Sequence, residues 1–229
     1  MSDTQTLRLA RLINMAALFA LIGVLAGSLH LQFGVGEQPC PLCLVQRSAM
    51  IGLAVGPMMN LLWGMKPAHY ALSILAALVG SAGSIRQILL HINDPMGTGY
   101  GPAVMGYHLY TWALITFIVA IAGIAVVLLW NRPFTINDPG VLASVSRGIR
   151  VSGLVALLWA ILWATVELVV ITVAVLPECG LGMCPDDPEP IGGLGDSVGW
   201  VFIAVTGLIA LIAAVMVDRR LARRAAAPC

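Results

Sequence analysis

Six long apolar runs, separated by short polar segments, dominate this chain of 229 residues. The runs are Leu12–Phe33, Leu44–Trp63, Tyr70–Leu90, Leu109–Trp130, Val151–Leu176 and Val198–Val217. A helix needs about 20 residues to cross the hydrocarbon core of a bilayer, and each run has roughly that length. The pattern therefore predicts six transmembrane helices. The second begins with Gln46 and Arg47, so we expect its start to lie at the interface, where a long cation reaches water.

The composition agrees with a protein that lies in lipid. Hydrophobic residues make up 59% of the chain and charged residues 10%, whereas soluble domains carry about 25% charged residues. The predicted fold class is therefore all-α, a polytopic membrane helical bundle. There is no basic domain suited to nucleic acid and no glycine-rich phosphate loop, so nucleic acid is not an expected partner.

The first run follows Arg8 and Arg11 and has some features of a signal peptide. Val24-Leu25-Ala26 would serve as a cleavage site. The apolar run is, however, longer than the usual 7–15 residues of a signal peptide. We therefore expect the first helix to be retained, and the loop that follows it is external in either case.

Basic residues fix the predicted orientation, because cytoplasmic loops of membrane proteins are rich in lysine and arginine. With the N-terminus in the cytoplasm, Arg47 and Arg86 are the only Lys or Arg residues on the outer side. The inner side then holds Arg8, Arg11, Lys66, Arg132, Arg147, Arg150, Arg219, Arg220, Arg223 and Arg224. Both termini are therefore predicted to be cytoplasmic.

The cysteines form two close pairs on the predicted outer side. Cys40 and Cys43 lie in the first outer loop, and Cys179 and Cys184 lie in the third, whereas Cys229 is predicted to be inside. Close pairs in an oxidising compartment favour disulfide chemistry. Two structural disulfides, or one zinc site built from four thiolates, are the alternatives.

The neighbourhood of the first pair favours redox chemistry over a structural role. A Cys-x-x-Cys pair can cycle between dithiol and disulfide, and the thiolate is its reactive form. If a helix begins near Cys43, Arg47 lies one turn further on the same face, where its charge stabilises that thiolate. The helix N-terminus acts in the same direction.

These residues resemble the disulfide bond formation protein B (DsbB) family, the membrane enzymes that reoxidise the periplasmic thiol oxidase DsbA with quinone. The resemblance rests on Pro39-Cys40-Pro41-Leu42-Cys43 with Gln46-Arg47, then on Arg86-Gln87 and His91. Asp94-Pro95 and the stretch from Gly106 to Trp112 resemble one branch of the family. The similarity covers roughly residues 8–130, the four-helix core.

One feature departs from the better-known family pattern. That pattern puts the second cysteine pair between the third and fourth helices, but His91–His108 contains no cysteine here. The pair at Cys179 and Cys184 follows an extra fifth helix. We expect a single membrane domain over 1–229. It comprises a redox core at 12–130 and an additional helix pair at 151–217, with an outer cysteine loop at 177–197.

The resemblance implies a protein-dithiol:quinone oxidoreductase in the bacterial inner membrane. The family does not supply the role of the second pair; from the topology, we expect a reduced DsbA-like thioredoxin-fold partner to attack the Cys179–Cys184 disulfide in the periplasm, after which electrons pass to Cys40–Cys43. Cys40, which is further from the helix, is the expected exchanging sulfur. The resemblance implies that Cys43 faces the quinone and that Arg47 stabilises its thiolate and polarises a quinone oxygen. The implied cofactor is ubiquinone or menaquinone, and no metal is expected.

Three further polar residues have two possible roles each. His91 and Arg86, near the outer end of the third helix, are candidates to hydrogen-bond the quinone head, or they anchor that end at the interface. Glu167 is an acid well inside a predicted span, where it relays protons or pairs with a polar group of the bundle. The alternative for the whole protein is a non-enzymatic membrane protein with structural disulfides or a four-cysteine metal site.

Overall fold

The computed structural model describes residues 2–92, 103–144, 146–179 and 192–226, without the side chains of residues 174–179, 196, 225 and 226. The helices are α1 (Asp3–Leu29), α2 (Pro41–Trp63), α3 (Pro67–His91), α4 (Leu109–Leu129), α5 (Arg132–Thr135), α6 (Arg147–Cys179) and α7 (Asp196–Ala226). A π-helical turn, His30–Val35, continues α1, and a 3-10 turn, Val141–Ala143, precedes α6. The described residues contain no β-strand, only a single bridge between Val104 and Tyr107. The all-α prediction is confirmed.

Six helices are long and apolar enough to span a membrane, as the hydrophobic pattern predicts. They are α1 with its π-helical turn, α2, α3, α4, α6 and α7. Most of these helices extend past the apolar runs, because backbone hydrogen bonding continues into the polar flanks after the apolar residues end. The short helix α5, between α4 and α6, was not predicted from the sequence.

Local signals explain where the helices start. Ser2 caps α1 through a capping box, in which its hydroxyl accepts from Gln5 N and the Gln5 side chain accepts from Ser2 N. Cys40 is the residue before α2, and Pro41 takes the first helical position, where its missing N–H costs no hydrogen bond. A proline in the same position, Pro67, begins α3.

Small residues allow the helices of the core to approach closely. A Cβ on Gly80 of α3 would collide with the Phe117 ring of α4, and one on Gly56 of α2 would collide with Ser73 of α3. The helix α6 packs against α1 and α2, so the additional pair is joined to the rest of the bundle. Apolar residues at most 1% exposed come from all six long helices and from the 3-10 turn, and they include Leu18, Leu61, Ala77, Phe117, Val141, Ala156, Trp163 and Ala214.

At the end of the bundle farthest from Cys40 and Cys43, a cluster of hydrogen-bonded polar side chains connects α1, α2 and α3. Asn14 donates to the Tyr70 hydroxyl at 2.8 Å, and Asn60 donates to the Asn14 side-chain oxygen at 3.2 Å. The Asn60 oxygen in turn accepts from Lys66 N at 3.0 Å and contacts His69 Nδ1 at 2.9 Å. We call Asn14, Asn60, His69 and Tyr70 the amide cluster.

The segment after α5 closes over the same end of the bundle. Arg11 of α1 is paired with Asp138 and also donates to Gly140 O at 2.9 Å. Gly140 has φ of 86°, and a Cβ there would collide with the Leu62 carbonyl of α2. Arg147 and Arg150 both donate to Asp218, which joins the start of α6 to the end of α7.

At the end of the bundle that carries Cys40 and Cys43, the segment before α7 is hydrogen-bonded to the π-helical turn. Leu194 N donates to Phe33 O at 2.8 Å, and Gly195 N donates to Gly34 O at 3.1 Å. Gly193 lies so close to the Gly34 and Val35 backbone that a Cβ would not fit. The chain that follows residues 180–191 is therefore attached directly beside the segment that leads to Cys40.

Candidate functional site

Cys40 and Cys43 form a disulfide at the N-terminus of α2, with their Cα atoms 5.0 Å apart. The local turn holds the pair, because Cys43 N donates to Cys40 Sγ at 3.1 Å. Cys40 is buried, with 4% of its surface exposed, while Cys43 is half-buried and lines a cavity. The two sulfurs thus have different surroundings, as a pair with two distinct roles requires.

Gln87 contacts this disulfide, and Gln46 in turn contacts Gln87. Gln87 of α3 places Nε2 3.1 Å from Cys40 Sγ and 3.6 Å from Cys43 Sγ. Its oxygen accepts from Gln46 Nε2 at 2.8 Å, and both side chains are buried. Sequence reasoning noted both glutamines but assigned them no role. The available signal was that amides within apolar spans are costly without a partner.

Arg47 lies one helical turn after Cys43, buried in the bundle with 8% of its surface exposed. Its guanidinium donates to Gln32 Oε1 at 2.5 Å and to Ser28 O at 3.1 Å, both on the α1 side. This burial differs from the expected interfacial position, in which the side chain reaches water. The hydrogen bonds replace that water, so a cation can be held beside the disulfide inside the bundle.

Glu167 of α6 is the acidic partner of Arg47. Its Oε2 lies 4.0 Å from Arg47 Nη1, and its Oε1 is 3.4 Å from the Ser28 hydroxyl, which donates to it. The side chain is fully buried, and its Oε2 accepts no hydrogen bond in the described part of the chain. Of the two roles predicted for Glu167, proton relay and pairing, the contacts with Arg47 and Ser28 correspond to pairing with polar groups of the bundle.

A cavity of about 450 Å³ opens beside the disulfide, between α1, α2 and α4. Its polar lining includes Cys43, Gln46, Arg47, Gln87, His30, Tyr110, Ser28, Gln38 and Thr116. Most of the remaining wall is apolar and includes Leu31, Met50 and Ala113. Glu37 lies at its edge, where partial burial raises the pKa of the carboxyl. The cavity therefore suits a largely apolar molecule with a polar head.

The remaining residues predicted to face the quinone lie outside the lining of this cavity. His91 stacks on Tyr110 with ring centroids 5.4 Å apart, and its Nδ1 donates to Gln87 O at 2.8 Å. It thus contacts two residues that line the cavity. Arg86 is on an exposed face of α3. Any contact of His91 or Arg86 with a quinone stays a prediction.

The side chains of the second cysteine pair are not among those that the structure describes. Cys179 is the last residue of α6, but its side chain is not among those described, and neither is Cys184. Within the described part of the chain, no cluster of three or more His, Cys, Asp or Glu residues is suited to a metal. Cys40 and Cys43 are bonded to each other in this structure.

Comparison with known proteins identifies the family. The model of the disulfide bond formation protein DsbB family matches residues 10–99. Disulfide bond formation protein B of Pseudomonas syringae pv. tomato is 30% identical over 144 residues, covering 48% of this chain and 85% of that protein. Disulfide bond formation protein B of Burkholderia pseudomallei is 29% identical over 162 residues, 56% of this chain and 95% of that protein.

A further relative gives the most complete coverage of these three. Disulfide bond formation protein B 1 of Pseudomonas savastanoi pv. phaseolicola is 30% identical over 167 residues, 58% of this chain and 98% of that protein. No solved structure matches the chain. The relatives are shorter than this chain, and the helices α6 and α7 extend it beyond a four-helix core. The chain belongs to the DsbB family of bacterial multi-pass membrane proteins that form disulfide bonds.

Proposed function

We propose that this protein reoxidises a periplasmic thioredoxin-fold thiol oxidase, similar to DsbA, and passes the electrons to quinone. One observation carries the proposal. The Cys40–Cys43 disulfide borders a cavity in which Cys43 and the buried cation Arg47 share one wall. A redox-active sulfur, a fixed positive charge and space for a ligand are thus adjacent.

The cavity fits a quinone in size and in chemistry. Small-molecule sites have volumes of about 300–1,000 Å³ and are mostly apolar with a few placed polar groups, and this cavity of about 450 Å³ has that character. Arg47, Gln46 and Gln87 supply the hydrogen-bond donors suited to a carbonyl head. Ubiquinone or menaquinone supplies the two-electron oxidising power when bound there.

The protein's own residues provide position and charge. In the reduced form, Arg47 stabilises the Cys43 thiolate, which is the sulfur that faces the cavity. Gln87 contacts both sulfurs and orients the pair, and Gln46 fixes the Gln87 amide in turn. Reforming the Cys40–Cys43 bond releases two electrons and two protons from the two thiols, so each turnover needs a route for both.

The Cys179–Cys184 pair is proposed to face the protein partner. The partner thiolate attacks one sulfur of this disulfide and leaves oxidised, and the resulting dithiol then reduces Cys40–Cys43 through a mixed disulfide. Backbone hydrogen bonds from Leu194 and Gly195 to Phe33 and Gly34 support this order of electron transfer, from the second pair to the first. They attach the end of the loop that carries Cys184 close to the start of the Cys40 segment.

The proposed location is the bacterial inner membrane, with both termini in the cytoplasm and both cysteine pairs in the periplasm. The basic residues at the helix ends far from Cys40 support this orientation. A membrane-impermeant maleimide, applied to intact spheroplasts after reduction, is expected to label the four proposed periplasmic cysteines and not Cys229. Labelling of Cys229 in sealed spheroplasts would reverse the orientation.

The experiment that tests the function is quinone reduction by the purified protein. Reduced DsbA-like protein and a short-chain ubiquinone or menaquinone are added, and the loss of quinone absorbance is followed together with the partner's thiol content. We expect one quinone reduced for each two thiols lost. If the partner is not oxidised under these conditions, the relay as proposed is wrong.

A further inference from the structure

The additional helix pair supplies a charge to the redox site. We propose that Glu167 of α6 is the counter-charge of Arg47, and that it limits how strongly Arg47 stabilises the Cys43 thiolate. The inference rests on the proposed function, because it takes Cys40–Cys43 as the pair that cycles. It goes further by giving α6, which a four-helix member of the family does not have, a role in setting the oxidising strength of that pair.

The position of Glu167 is on the packed face of α6. Ala156, Ala160 and Trp163 are each at most 5% exposed and precede it at helical spacing, whereas the following Leu168 is 53% exposed. An apolar residue is expected at such a position in a membrane helix. A carboxylate there is costly unless a partner offsets its charge.

Arg47 is that partner, but hydrogen bonding between the two is absent. The separation of 4.0 Å from Arg47 Nη1 to Glu167 Oε2 is an ion pair without a hydrogen bond. Gln32 and the Ser28 carbonyl hold the guanidinium, and the Ser28 hydroxyl holds the carboxylate. Because α1 and the π-helical turn that continues it hold the guanidinium, loss of the Glu167 charge leaves Arg47 in place with its positive charge uncompensated.

The sign of the effect on Cys43 follows from this arrangement. Several charged or titratable groups surround the cavity. They are Arg47 on α2, Glu37 before α2, His30 on the π-helical turn, Tyr110 on α4, His91 and His108 stacked on Tyr110, and Glu167, which acts through Arg47. The group that α3 places on the sulfurs is the neutral Gln87. An anionic Glu167 offsets part of the field of Arg47, so its removal favours the anionic sulfur of the reduced pair.

Glu167→Gln is the direct test, made in a full-length background that carries Cys179→Ser, Cys184→Ser and Cys229→Ser. The reduced protein is treated with iodoacetamide at a series of pH values from mildly acidic to mildly alkaline, so that the comparison includes conditions in which Glu167 is ionised, and the rate at Cys43 is read by peptide mass spectrometry. Because the thiolate is the species that reacts, we expect the rate at Cys43 to rise about tenfold. Neither quinone nor a protein partner is present, so the result does not depend on turnover.

An equilibrium measurement gives an independent readout. Two glutathione thiols reduce the Cys40–Cys43 disulfide, which yields the protein dithiol and one glutathione disulfide. A stabilised thiolate favours the reduced protein, so Glu167→Gln is expected to shift this equilibrium constant about tenfold toward the dithiol. Glu167→Asp keeps the charge and is expected to stay within about twofold of the parent protein.

Asp218→Asn is the matched control, because Asp218 is another buried acid of the additional pair that is bonded to arginines at the far end of the bundle. It is expected to leave both readouts unchanged. If Glu167→Gln does not fold, Ser28→Ala serves instead. It removes the hydroxyl that donates to Glu167 and is expected to move both readouts in the same direction, by about two- to threefold.

An unchanged or slower alkylation rate in a folded Glu167→Gln variant would overturn the proposal, as would an equal rise in Asp218→Asn. These outcomes are separate from failure of the proposed function. If the parent protein does not reduce quinone but the alkylation rate at Cys43 still rises in Glu167→Gln, the relay is wrong. The proposed coupling between Glu167, Arg47 and Cys43 is then still supported.

Discussion

The two ends of the bundle both bury polar side chains, yet they differ in what those side chains contact. In the amide cluster, Asn14 and Asn60 bond to each other, and Tyr70 and His69 complete the set. At the disulfide end, Arg47 and Gln87 also have partners, but both line a cavity that Cys43 shares. A buried polar group therefore indicates function only when it also borders space and a reactive atom.

The two ends of the bundle also differ in what their buried polar groups stabilise. A cluster whose donors and acceptors satisfy one another stabilises the packing of three helices and has no capacity for a ligand. At the disulfide end, the one acidic partner of the buried guanidinium among the described residues is Glu167, whose carboxylate lies 4.0 Å away without a hydrogen bond. That end is therefore suited to stabilising an additional negative charge, and substitutions at the two ends should separate activity from stability.

Removing a sulfur at the disulfide end should give the largest effect. Cys40→Ser or Cys43→Ser eliminates the disulfide, so quinone reduction by the reduced protein partner is expected to fall to background. The measurement is the quinone assay above, with Cys229→Ser as the control that should keep full turnover. Normal turnover by either variant would exclude the relay through this pair.

Removing the second cysteine pair should affect the protein substrate but not a small dithiol. Cys179→Ser with Cys184→Ser is expected to abolish oxidation of the protein partner while a small dithiol still reduces quinone through Cys40–Cys43. The reason is access, because Cys40 is buried at a helix end where a folded protein reaches it poorly. Oxidation of the protein partner by the double variant at the normal rate would assign these cysteines a structural role only.

A smaller effect is expected for the cation. Arg47→Ala should lower the kcat/KM for quinone roughly 10- to 100-fold at saturating thiol substrate, since a charge-assisted contact is lost. Arg47→Lys should keep only part of this kcat/KM, because lysine lacks the planar set of N–H donors of a guanidinium. Arg132→Ala, at an exposed arginine on the far side of the bundle, is the matched control. An unchanged kcat/KM in Arg47→Ala would make the cation purely structural.

The smallest effect on activity is expected in the amide cluster. Asn60→Ala removes contacts to Asn14, His69 and Lys66 N, and leaving their buried groups unsatisfied costs about 1–3 kcal/mol of the free energy of unfolding. Unfolding in detergent measures that loss, and the kcat/KM for quinone should stay unchanged. A variant that lost activity at full stability would contradict the division between the two ends.

The sequence predicted the helices better than the contacts between them. Apolar runs determine which segments enter lipid, so all six spans were found, and the Cys-x-x-Cys motif located the disulfide. The burial of Arg47 could not be predicted, because it depends on Gln32 and Ser28 from another helix. The same holds for Gln87, whose contact with the sulfurs depends on the packing of α3 against α2.

His91 and Arg86 illustrate the limit of one-dimensional reasoning about helix ends. Both lie near the end of α3, but Arg86 is exposed while the next residue, Gln87, is buried at 2% exposure. A single residue changes the direction of a side chain on a helix by about 100°. The choice between neighbouring polar residues therefore needed the packing of the bundle.

The backbone bonds from Leu194 and Gly195 to Phe33 and Gly34 have a kinetic consequence. Leu194 is ten positions after Cys184, so that cysteine lies within about 35 Å of a fixed point beside the Cys40 segment. Tethers of this length typically give effective concentrations in the millimolar range. Thiol exchange between the two pairs would then be first order, with a rate constant independent of how dilute the enzyme is in the membrane.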